Sequence, residues 1–446
     1  MTENPSSPVS GDPSPAPATR RIVSLDALRG VGVLGILVMN VYVFSMPFAA
    51  YGNPLVMGGT DVLNLGTWFV THVFFDLKFM TIFAMMFGAG MIMMMQRAEA
   101  RGARFGPIYY RRLFWLLVIG AVHGYLIWFG DILFMYAVVG MIVFLFRRRS
   151  ARTLIVVACT LLPVGMLASF GASYYIEDMQ QRVADIEVML AEGGTPDEEQ
   201  QRTLEEWEAS RPFMAPTDGD IQNDVEAYRG GYAEIVAHRA PVVVMMQTEG
   251  VLSFGLWRVG AMMLIGMALM KLGVLTGERS PAFYRKLMWA GYGFGLPLTV
   301  FSAVNLYAHE FESIYVWRYG MFANYVGSVL VALGHIGLVM WLATTGRLQA
   351  LLTRFAAVGR MALSNYLMHS LILTSVFYGY GLGLYGSVPR FGQMGFVAAV
   401  LALQLLLSPW WLARFRFGPV EWLWRSVTYW RWQGLRIQHD KTPNWQ

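Results

Sequence analysis

Residues 22–45 read IVSLDALRGVGVLGILVMNVYVFS, a predominantly apolar run whose two charged residues, Asp26 and Arg29, both lie near its start. A helix of this length, at about 1.5 Å per residue, is long enough to cross the roughly 30 Å hydrocarbon core of a bilayer. The whole chain has the same character, since 56% of its 446 residues are hydrophobic and only 14% are charged. Soluble domains carry about 25% charged residues. We therefore expect an all-α polytopic membrane protein.

Apolar stretches of this kind recur along the chain and predict about ten transmembrane helices. Most lysines and arginines fall in segments that would face the cytoplasm if the N-terminus does, whereas the short outer loops carry Arg390 alone. This asymmetry follows the positive-inside rule and predicts that both termini are cytoplasmic. The predicted spans are residues 22–45, 79–96, 111–129, 131–146, 153–175, 243–270, 286–307, 316–343, 361–377 and 393–412.

The second predicted span follows an unusual apolar stretch at residues 61–77. Joined into one helix, residues 61–96 would extend about 54 Å, far more than a bilayer needs. We therefore expect a break near Asp76–Lys78, with residues 61–75 lying in the interface or re-entering the membrane. Because of this segment, arrangements of nine or eleven spans remain alternatives.

Residues 177–241 depart from the membrane pattern, with 16 acidic and 5 basic residues. Thr195 as the cap, Pro196 at the first helical position and acids after it predict a helix start. The predicted organisation is a disordered tail at 1–20, spans one to five at 21–176, the acidic helical insert at 177–241, spans six to ten at 242–413, and a Trp- and Arg-rich interfacial helix and tail at 414–446.

Because five predicted spans lie between the cytoplasmic N-terminus and the acidic insert, we expect the insert to be extracytoplasmic. It is either a lid or partner-binding cap, or a solvated helical extension of the fifth and sixth spans. The C-terminal segment at 414–446 combines tryptophans with arginines in an apolar context, which favours lipid headgroups over nucleic acid as its partner. Glycine-rich spans make a homodimer plausible.

Ionisable side chains inside spans cost at least a few kcal/mol each and are hypotheses for function. Asp26 and Arg29 are spaced to pair on one helix face, either as a structural clasp or as part of a catalytic site. His123, roughly two helical turns from Asp131, either hydrogen-bonds across a helix contact or transfers protons. Further candidates, expected to bind substrate, are Asp76, Lys78, Glu249, Arg258, Asn365 and His369.

The sequence contains no motif typical of a metal site or a nucleotide-binding site. The chain has one cysteine, no histidine pair at zinc-ligand spacing and no glycine-rich phosphate loop. We therefore expect neither a metal nor a resident cofactor.

Several strings together resemble a known family. They are IVSLDALRG at 22–30, LGILVMN at 34–40, GRMALSNYL at 359–367 and FGPVEWLWR at 417–425. The combination resembles the YeiB-type family, a domain-of-unknown-function group (number 418) of bacterial inner-membrane proteins, over nearly the whole chain. The resemblance implies that this protein lies in the inner membrane of a bacterium.

A more distant resemblance is to the transmembrane acyltransferases, which include sugar O-acetyltransferases and the lysosomal heparan glucosaminide N-acetyltransferase. Those enzymes also open with an Asp-x-x-Arg-Gly element, here residues 26–30. The catalytic histidine of the O-acetyltransferases falls on Asn40, and that of the glucosaminide enzyme falls on Tyr51. The resemblance therefore implies that a general base would come from elsewhere, either His123 or His72.

Three functions are compatible with these patterns. The first is an acyltransferase that takes acyl-CoA as co-substrate from the inner face, with Asp26, Arg29, Asn40, His123 and Asp131 as the candidate catalytic residues. The second is a transporter or channel for a small solute, because five spans on each side of the insert have opposite orientations. The third is a lipid-binding or sensory scaffold.

Overall fold

The computed structural model of the protein describes residues 23–437, and within that range the chain is almost entirely helical. The predicted disordered tail at 1–20 lies outside the described residues. The first helices are α1 (Val23–Ser45), α2 (Ala49–Gly52), α3 (Val62–Phe74), α4 (Lys78–Glu99), α5 (Phe105–Leu126), α6 (Leu133–Val143) and α7 (Ala151–Ala191). Those that follow are α8 (Glu198–Met214), α9 (Asp218–Arg229), α10 (Tyr232–Gln247), α11 (Gly260–Lys271), α12 (Pro281–Ala308), α13 (Ser313–Tyr315), α14 (Met321–Thr344), α15 (Gln349–Arg360), α16 (Ala362–Phe377), α17 (Arg390–Leu412) and α18 (Pro419–Tyr429).

Seven helical segments of the described chain are long and apolar enough to cross a membrane. They are α1, α3 with α4, α7, α11 with the π-helical turn Val251–Val259 before it, α12, α13 with α14, and α17. Two shorter apolar helices accompany them, Leu133–Phe146 and Ala362–Phe377. The expected all-α polytopic membrane fold is confirmed, while the count of ten spans and the cytoplasmic termini stay predictions.

The break expected near Asp76–Lys78 is present. Helix α3 ends at Phe74, and α4 begins at Lys78. Between them Leu77 has φ 63°, in the left-handed region that costs a non-glycine residue about 1–2 kcal/mol. A strained residue of this kind persists only where its surroundings hold it, and here its two neighbours are buried charged side chains.

Helix α1 lies at the centre of the bundle, and its glycines allow close packing. A Cβ at Gly30 would lie 1.9 Å from the carbonyl oxygen of Phe355 in α15. In the reverse direction, a Cβ at Gly359 would lie 1.9 Å from the carbonyl oxygen of Asp26. The two helices therefore cross with their backbones in contact. These glycines are used inside the chain, and the homodimer stays a prediction.

Helix α7 continues without a break from the apolar stretch into the acidic insert, so its 41 residues extend about 61 Å. The next helix is capped by Asp197, which forms a capping box with Gln200. The expectation that Thr195 is the cap was wrong by two residues, because the Asp197 carboxylate accepts from the backbone N–H of Gln200 and the Gln200 side chain accepts from that of Asp197.

The second half of the insert is docked on the ends of the bundle. Arg229 donates to the carbonyl oxygen of Tyr385 at 2.9 Å, and Arg239 donates to that of Ile127 at 2.6 Å. Helices α9 and α10 therefore cover the loops that follow α5 and α16. Their position on the outer side of the membrane is a prediction.

Candidate functional site

His123 and Asp131 meet directly, with 2.7 Å between Nδ1 and Oδ2. The expected separation of two helical turns was wrong, because α5 ends at Leu126 and the chain turns back before α6 begins. Gly120 makes this turn possible. A Cβ at Gly120 would lie 2.7 Å from Oδ1 of Asp131 and 2.4 Å from the backbone nitrogen of Phe134.

The second ring nitrogen of His123 faces Ser370 of α16, with 2.8 Å between Nε2 and Oγ. Asp131 is held in place by the backbone N–H of Phe134, which donates to Oδ1 at 2.8 Å. The side chains of His123 and Asp131 are only 1% and 3% exposed, and Ser370 is fully buried. A carboxylate on one imidazole nitrogen and a hydroxyl on the other is an arrangement that moves a proton from the hydroxyl to the imidazole.

A cavity of about 310 Å³ lies among α1, α4, α5, α6, α15, α16 and α18. Basic side chains with two carboxylates line one end, which we call the basic mouth: Arg29, Arg97, Arg101, Arg112, Arg360 and Arg425, with Asp26 and Glu421. Apolar and aromatic side chains line the remainder, among them Phe83, Met86, Phe87, Leu113, Leu116 and Tyr136. The cavity is therefore amphipathic, and it suits a ligand with an anionic head and an apolar tail.

Helix α18 forms one wall of the basic mouth. The guanidinium of Arg112 lies 3.5 Å above the ring of Trp424, whose indole N–H donates to the carbonyl oxygen of Arg112. Glu421 accepts hydrogen bonds from the backbone of Leu363 and Ser364 at the start of α16. Burial raises the pKa of the Glu421 carboxyl above its usual range. The segment predicted to lie at the interface is thus packed against the helix bundle.

The expected pair of Asp26 and Arg29 is also present at this mouth, with 2.8 Å between Oδ1 and Nη1. Both side chains line the cavity. Along α5, eleven residues separate Arg112 at the mouth from His123, which corresponds to about 16 Å.

Leu133 and Tyr366 also line the cavity. The hydroxyl of Tyr366 donates to the carbonyl oxygen of Gly130 and accepts from the N–H of Ile132, both at 3.3 Å. Its ring centroid lies 5.3 Å from that of His123. A single aromatic ring therefore separates the cavity from the His123 cluster.

A second buried polar cluster surrounds the break between α3 and α4. Lys78 Nζ donates to the carbonyl oxygen of His72 at 2.6 Å and to Oδ1 of Asn324 at 2.7 Å. The amide of Asn324 donates in turn to Oδ2 of Asp76 at 2.6 Å. Tyr51 donates to the other oxygen of Asp76 at 2.9 Å. Asn324 thus bridges a buried ammonium and a buried carboxylate.

Arg258 belongs to the same region and lies in the π-helical turn before α11. It donates to Ser328 Oγ at 2.7 Å, to Thr81 Oγ1 at 3.1 Å and to the carbonyl oxygen of Tyr325. These bonds join α4, α14 and the π-helical turn. The three candidates Asp76, Lys78 and Arg258 therefore lie together, but none of them lines the cavity.

Comparison with known proteins gives the family. A family model described as a protein of unknown function, DUF418, matches residues 269–431. The uncharacterized protein YxaH of Bacillus subtilis is 32% identical over 94% of this chain and 97% of its own length. The uncharacterized protein YeiB of Escherichia coli is 32% identical over 92% of this chain and 96% of its own length.

The chain belongs to the DUF418 family. A protein from the amylase 3' region of Bacillus acidopullulyticus is similar at 21% identity over 93% of this chain. No solved structure matches. The apolar helices and these bacterial relatives make this DUF418 chain an integral membrane protein.

Other sequence candidates of this DUF418 protein lie away from the cavity. Asn365 donates to Ser408 Oγ, and His369 Nε2 lies 2.9 Å from Gln404 Oε1, so both join α16 to α17. Glu249 is exposed and is not brought to Arg258. Asn40 lies 14 residues, or about 21 Å, further along α1 than Asp26. The five catalytic candidates therefore do not form one constellation.

The two clusters and the basic mouth contain three residues that were not predicted from the sequence. They are Ser370, Asn324 and Glu421. Ser370 carries no sequence signal, because a serine is common in an apolar helix, where it bonds its own backbone. Asn324 lies in a span and is polar, so a search for uncharged amides in spans would have found it. Glu421 was not among the sequence candidates, yet its carboxylate caps the start of α16.

Proposed function

We propose that this DUF418 protein is a membrane-embedded acyltransferase of the bacterial inner membrane, which takes its acyl group from a cytoplasmic acyl thioester such as acyl-CoA. The observation that carries the proposal is the amphipathic cavity, whose basic mouth leads through an apolar interior to the wall behind which His123 lies. Asp76 and Lys78 do not line this cavity.

Each part of the cavity matches one part of an acyl thioester. Arginines bind phosphate and pyrophosphate groups through paired N–H donors, which suits the nucleotide end of CoA to the basic mouth. The apolar interior, lined by Phe83, Phe87 and Leu116, accommodates an acyl chain. The reacting carbonyl would then lie near Tyr366, within reach of the imidazole of His123.

His123 serves as the general base in this proposal, and Asp131 orients it. With Nδ1–H directed at the carboxylate, Nε2 carries no proton and can accept one from a hydroxyl or amine. His72, the other base that the resemblance allows, lies in the Asp76–Lys78 cluster and does not line the cavity. The geometry therefore favours His123 over His72.

The experiment uses the full chain, purified and reconstituted in nanodiscs. We expect acetyl-CoA or palmitoyl-CoA to raise the thermal midpoint more than free palmitate does, because palmitate lacks the phosphates that the arginines bind. Acyl-CoA turnover is expected to disappear in His123→Ala and to persist in His369→Ala, a buried histidine in the α16–α17 contact. If no acyl-CoA stabilises the protein, or if His123→Ala keeps its turnover, the proposal is wrong.

A further inference from the structure

The face of α16 that lines the cavity continues past Tyr366. Ala362, Tyr366 and Ser370 follow one another at intervals of four residues, which places them on one helix face. Ala362 and Tyr366 line the cavity. Ser370 lies one turn beyond Tyr366, about 6 Å further along the helix axis.

The hydroxyl of Ser370 is placed differently from that of a neighbouring serine. Ser375, on the same helix, donates to the carbonyl oxygen of Leu371 at 2.7 Å, the usual position of a serine in an apolar helix. Ser370 instead faces Nε2 of His123 at 2.8 Å. Since Asp131 holds the opposite nitrogen, the three side chains are arranged as carboxylate, imidazole and hydroxyl.

Trp128 is a further hydrogen-bond donor beside His123. The ring of Trp128 lies 6.3 Å from that of His123, and the side chain is 2% exposed. Its indole N–H has no hydrogen-bond partner among residues 23–437. A buried N–H of this kind stabilises an oxyanion more strongly than it would in water.

We infer that Ser370 is a nucleophile that carries the acyl group as an ester between two half-reactions. This inference rests on the proposed acyltransferase function and adds a covalent intermediate to it. Rotation of the Tyr366 ring would join the cavity to the Ser370 hydroxyl, which lies one turn behind it.

The two half-reactions balance without any further reactant. In the first, Ser370 Oγ attacks the thioester carbonyl carbon and His123 Nε2 takes the hydroxyl proton. The C–S bond breaks, and the leaving thiolate receives that proton from His123, which gives free thiol and acyl-serine. In the second, His123 takes a proton from the acceptor hydroxyl or amine, whose O or N attacks the ester carbonyl. Ser370 Oγ then leaves with the proton from His123.

The test is to trap the ester in the absence of an acceptor. The full chain in nanodiscs is incubated with acetyl-CoA or palmitoyl-CoA, quenched in acid and analysed by intact mass and peptide mapping. We expect one acyl group on Ser370 in the wild type and in Ser375→Ala, the matched control. Ser370→Ala should carry no acyl group and turn over about 1,000-fold more slowly or worse, while acyl-CoA still raises its thermal midpoint.

A second variant distinguishes loss of the nucleophile from misfolding of the chain. Ser370→Cys should accept the acyl group as a thioester, which neutral hydroxylamine cleaves far faster than it cleaves the serine ester. Undiminished turnover in Ser370→Ala, or an acyl group that maps to another residue, overturns the role of Ser370 and leaves direct transfer with His123 as base. A wild type that no acyl-CoA stabilises overturns the proposed function, and the inference with it.

Discussion

The two buried clusters that pair a histidine with an aspartate differ in what lies beside them. The His123–Asp131–Ser370 cluster is one aromatic ring away from a cavity of about 310 Å³. The Asp76–Lys78 cluster instead surrounds the break between α3 and α4, where Asn324 bridges the two charges. Both clusters contain a histidine next to an aspartate.

We infer from this difference that an ionisable residue inside a span is not by itself a sign of chemistry. A buried charge can be retained because it holds together elements that hydrocarbon contacts would not fix, as Lys78 does at the strained turn of Leu77. Access to a cavity distinguishes a buried polar cluster that can meet a ligand from one that holds helices together. Variants of the two clusters can therefore test this comparison. In the His123 cluster they should lower turnover and leave stability unchanged. In the Asp76–Lys78 cluster they should lower stability and leave ligand binding unchanged.

The largest expected effect is that of Asp131→Asn on turnover. Asparagine keeps the shape of the side chain but no longer holds the proton of His123 on Nδ1, so Nε2 cannot act as a base. We expect acyl-CoA turnover to fall about 10⁴-fold, with a thermal midpoint close to that of the wild type. Steady-state kinetics and thermal unfolding of the same preparation measure both. Turnover near the wild-type level would place the chemistry elsewhere.

Gly120→Ala tests the geometry that brings Asp131 to His123. The added Cβ would lie 2.4 Å from the backbone nitrogen of Phe134 and 2.7 Å from Oδ1 of Asp131, so both the start of α6 and the carboxylate must shift. A displacement near 1 Å lowers turnover about 10²-fold. Gly171→Ala in α7 is the matched control, because a Cβ there meets no atom within 4 Å. Equal kinetics of the two variants would contradict the proposed role of this turn.

Lys78→Ala tests the second cluster. Removing the ammonium leaves the His72 carbonyl oxygen and the Asn324 amide oxygen without their donor and takes a positive charge away from the buried Asp76 carboxylate, which costs about 3–5 kcal/mol of folding free energy. We expect lower resistance to denaturant than for Lys286→Ala, an exposed lysine. The fraction that folds should bind acyl-CoA as the wild type does. Loss of acyl-CoA binding from well-folded Lys78→Ala would assign this cluster to the ligand site.

Arg29→Gln tests the basic mouth. Loss of one charge-assisted contact to phosphate lowers the affinity for acyl-CoA about tenfold, or roughly 1.4 kcal/mol. Acyl-pantetheine, which lacks the nucleotide, should bind both proteins equally. Arg104→Gln serves as the control, since Arg104 is exposed and does not line the cavity. The same loss of affinity in both variants would indicate a general effect of charge.

The smallest effect concerns the acidic insert, which touches neither cluster's charges. The guanidinium of Arg211 beside Asp220 lowers the pKa of that carboxyl from 3.8 to about 2. A lowered folded-state pKa stabilises the fold fully above pH 3.8, and this contribution is lost as the pH falls toward 2. The thermal midpoint of Asp220→Asn should therefore lie below that of the wild type at pH 5 and converge with it near pH 2. A constant difference across this range would contradict the assignment.

Much of the fold follows from the sequence because hydrophobic length and helix breaks are local properties. The all-α membrane class and the break near Asp76–Lys78 were predicted from apolar length and spacing alone. The pairing of Asp26 with Arg29 was also predicted, since residues three apart share a helix face.

The site was only partly predictable, because its contacts depend on where helices end and cross. His123 and Asp131 were recognised as polar residues of a span, but their contact depends on a chain reversal after Leu126. Ser370 lies 247 residues further along the chain than His123, in another helix. No local pattern reports such a contact, and the same holds for Asn324 between Asp76 and Lys78.

The central claim is that the acyl donor occupies the cavity between the basic mouth and His123. It is tested most directly by a cryo-EM structure of the full chain in nanodiscs with a non-hydrolysable acyl-CoA analogue. We expect the phosphates to lie at Arg29 and Arg112 and the carbonyl analogue to lie beside Tyr366, next to His123. Density for the analogue beside Lys78 and Asp76, or on the lipid-facing surface with the cavity unchanged, would contradict it.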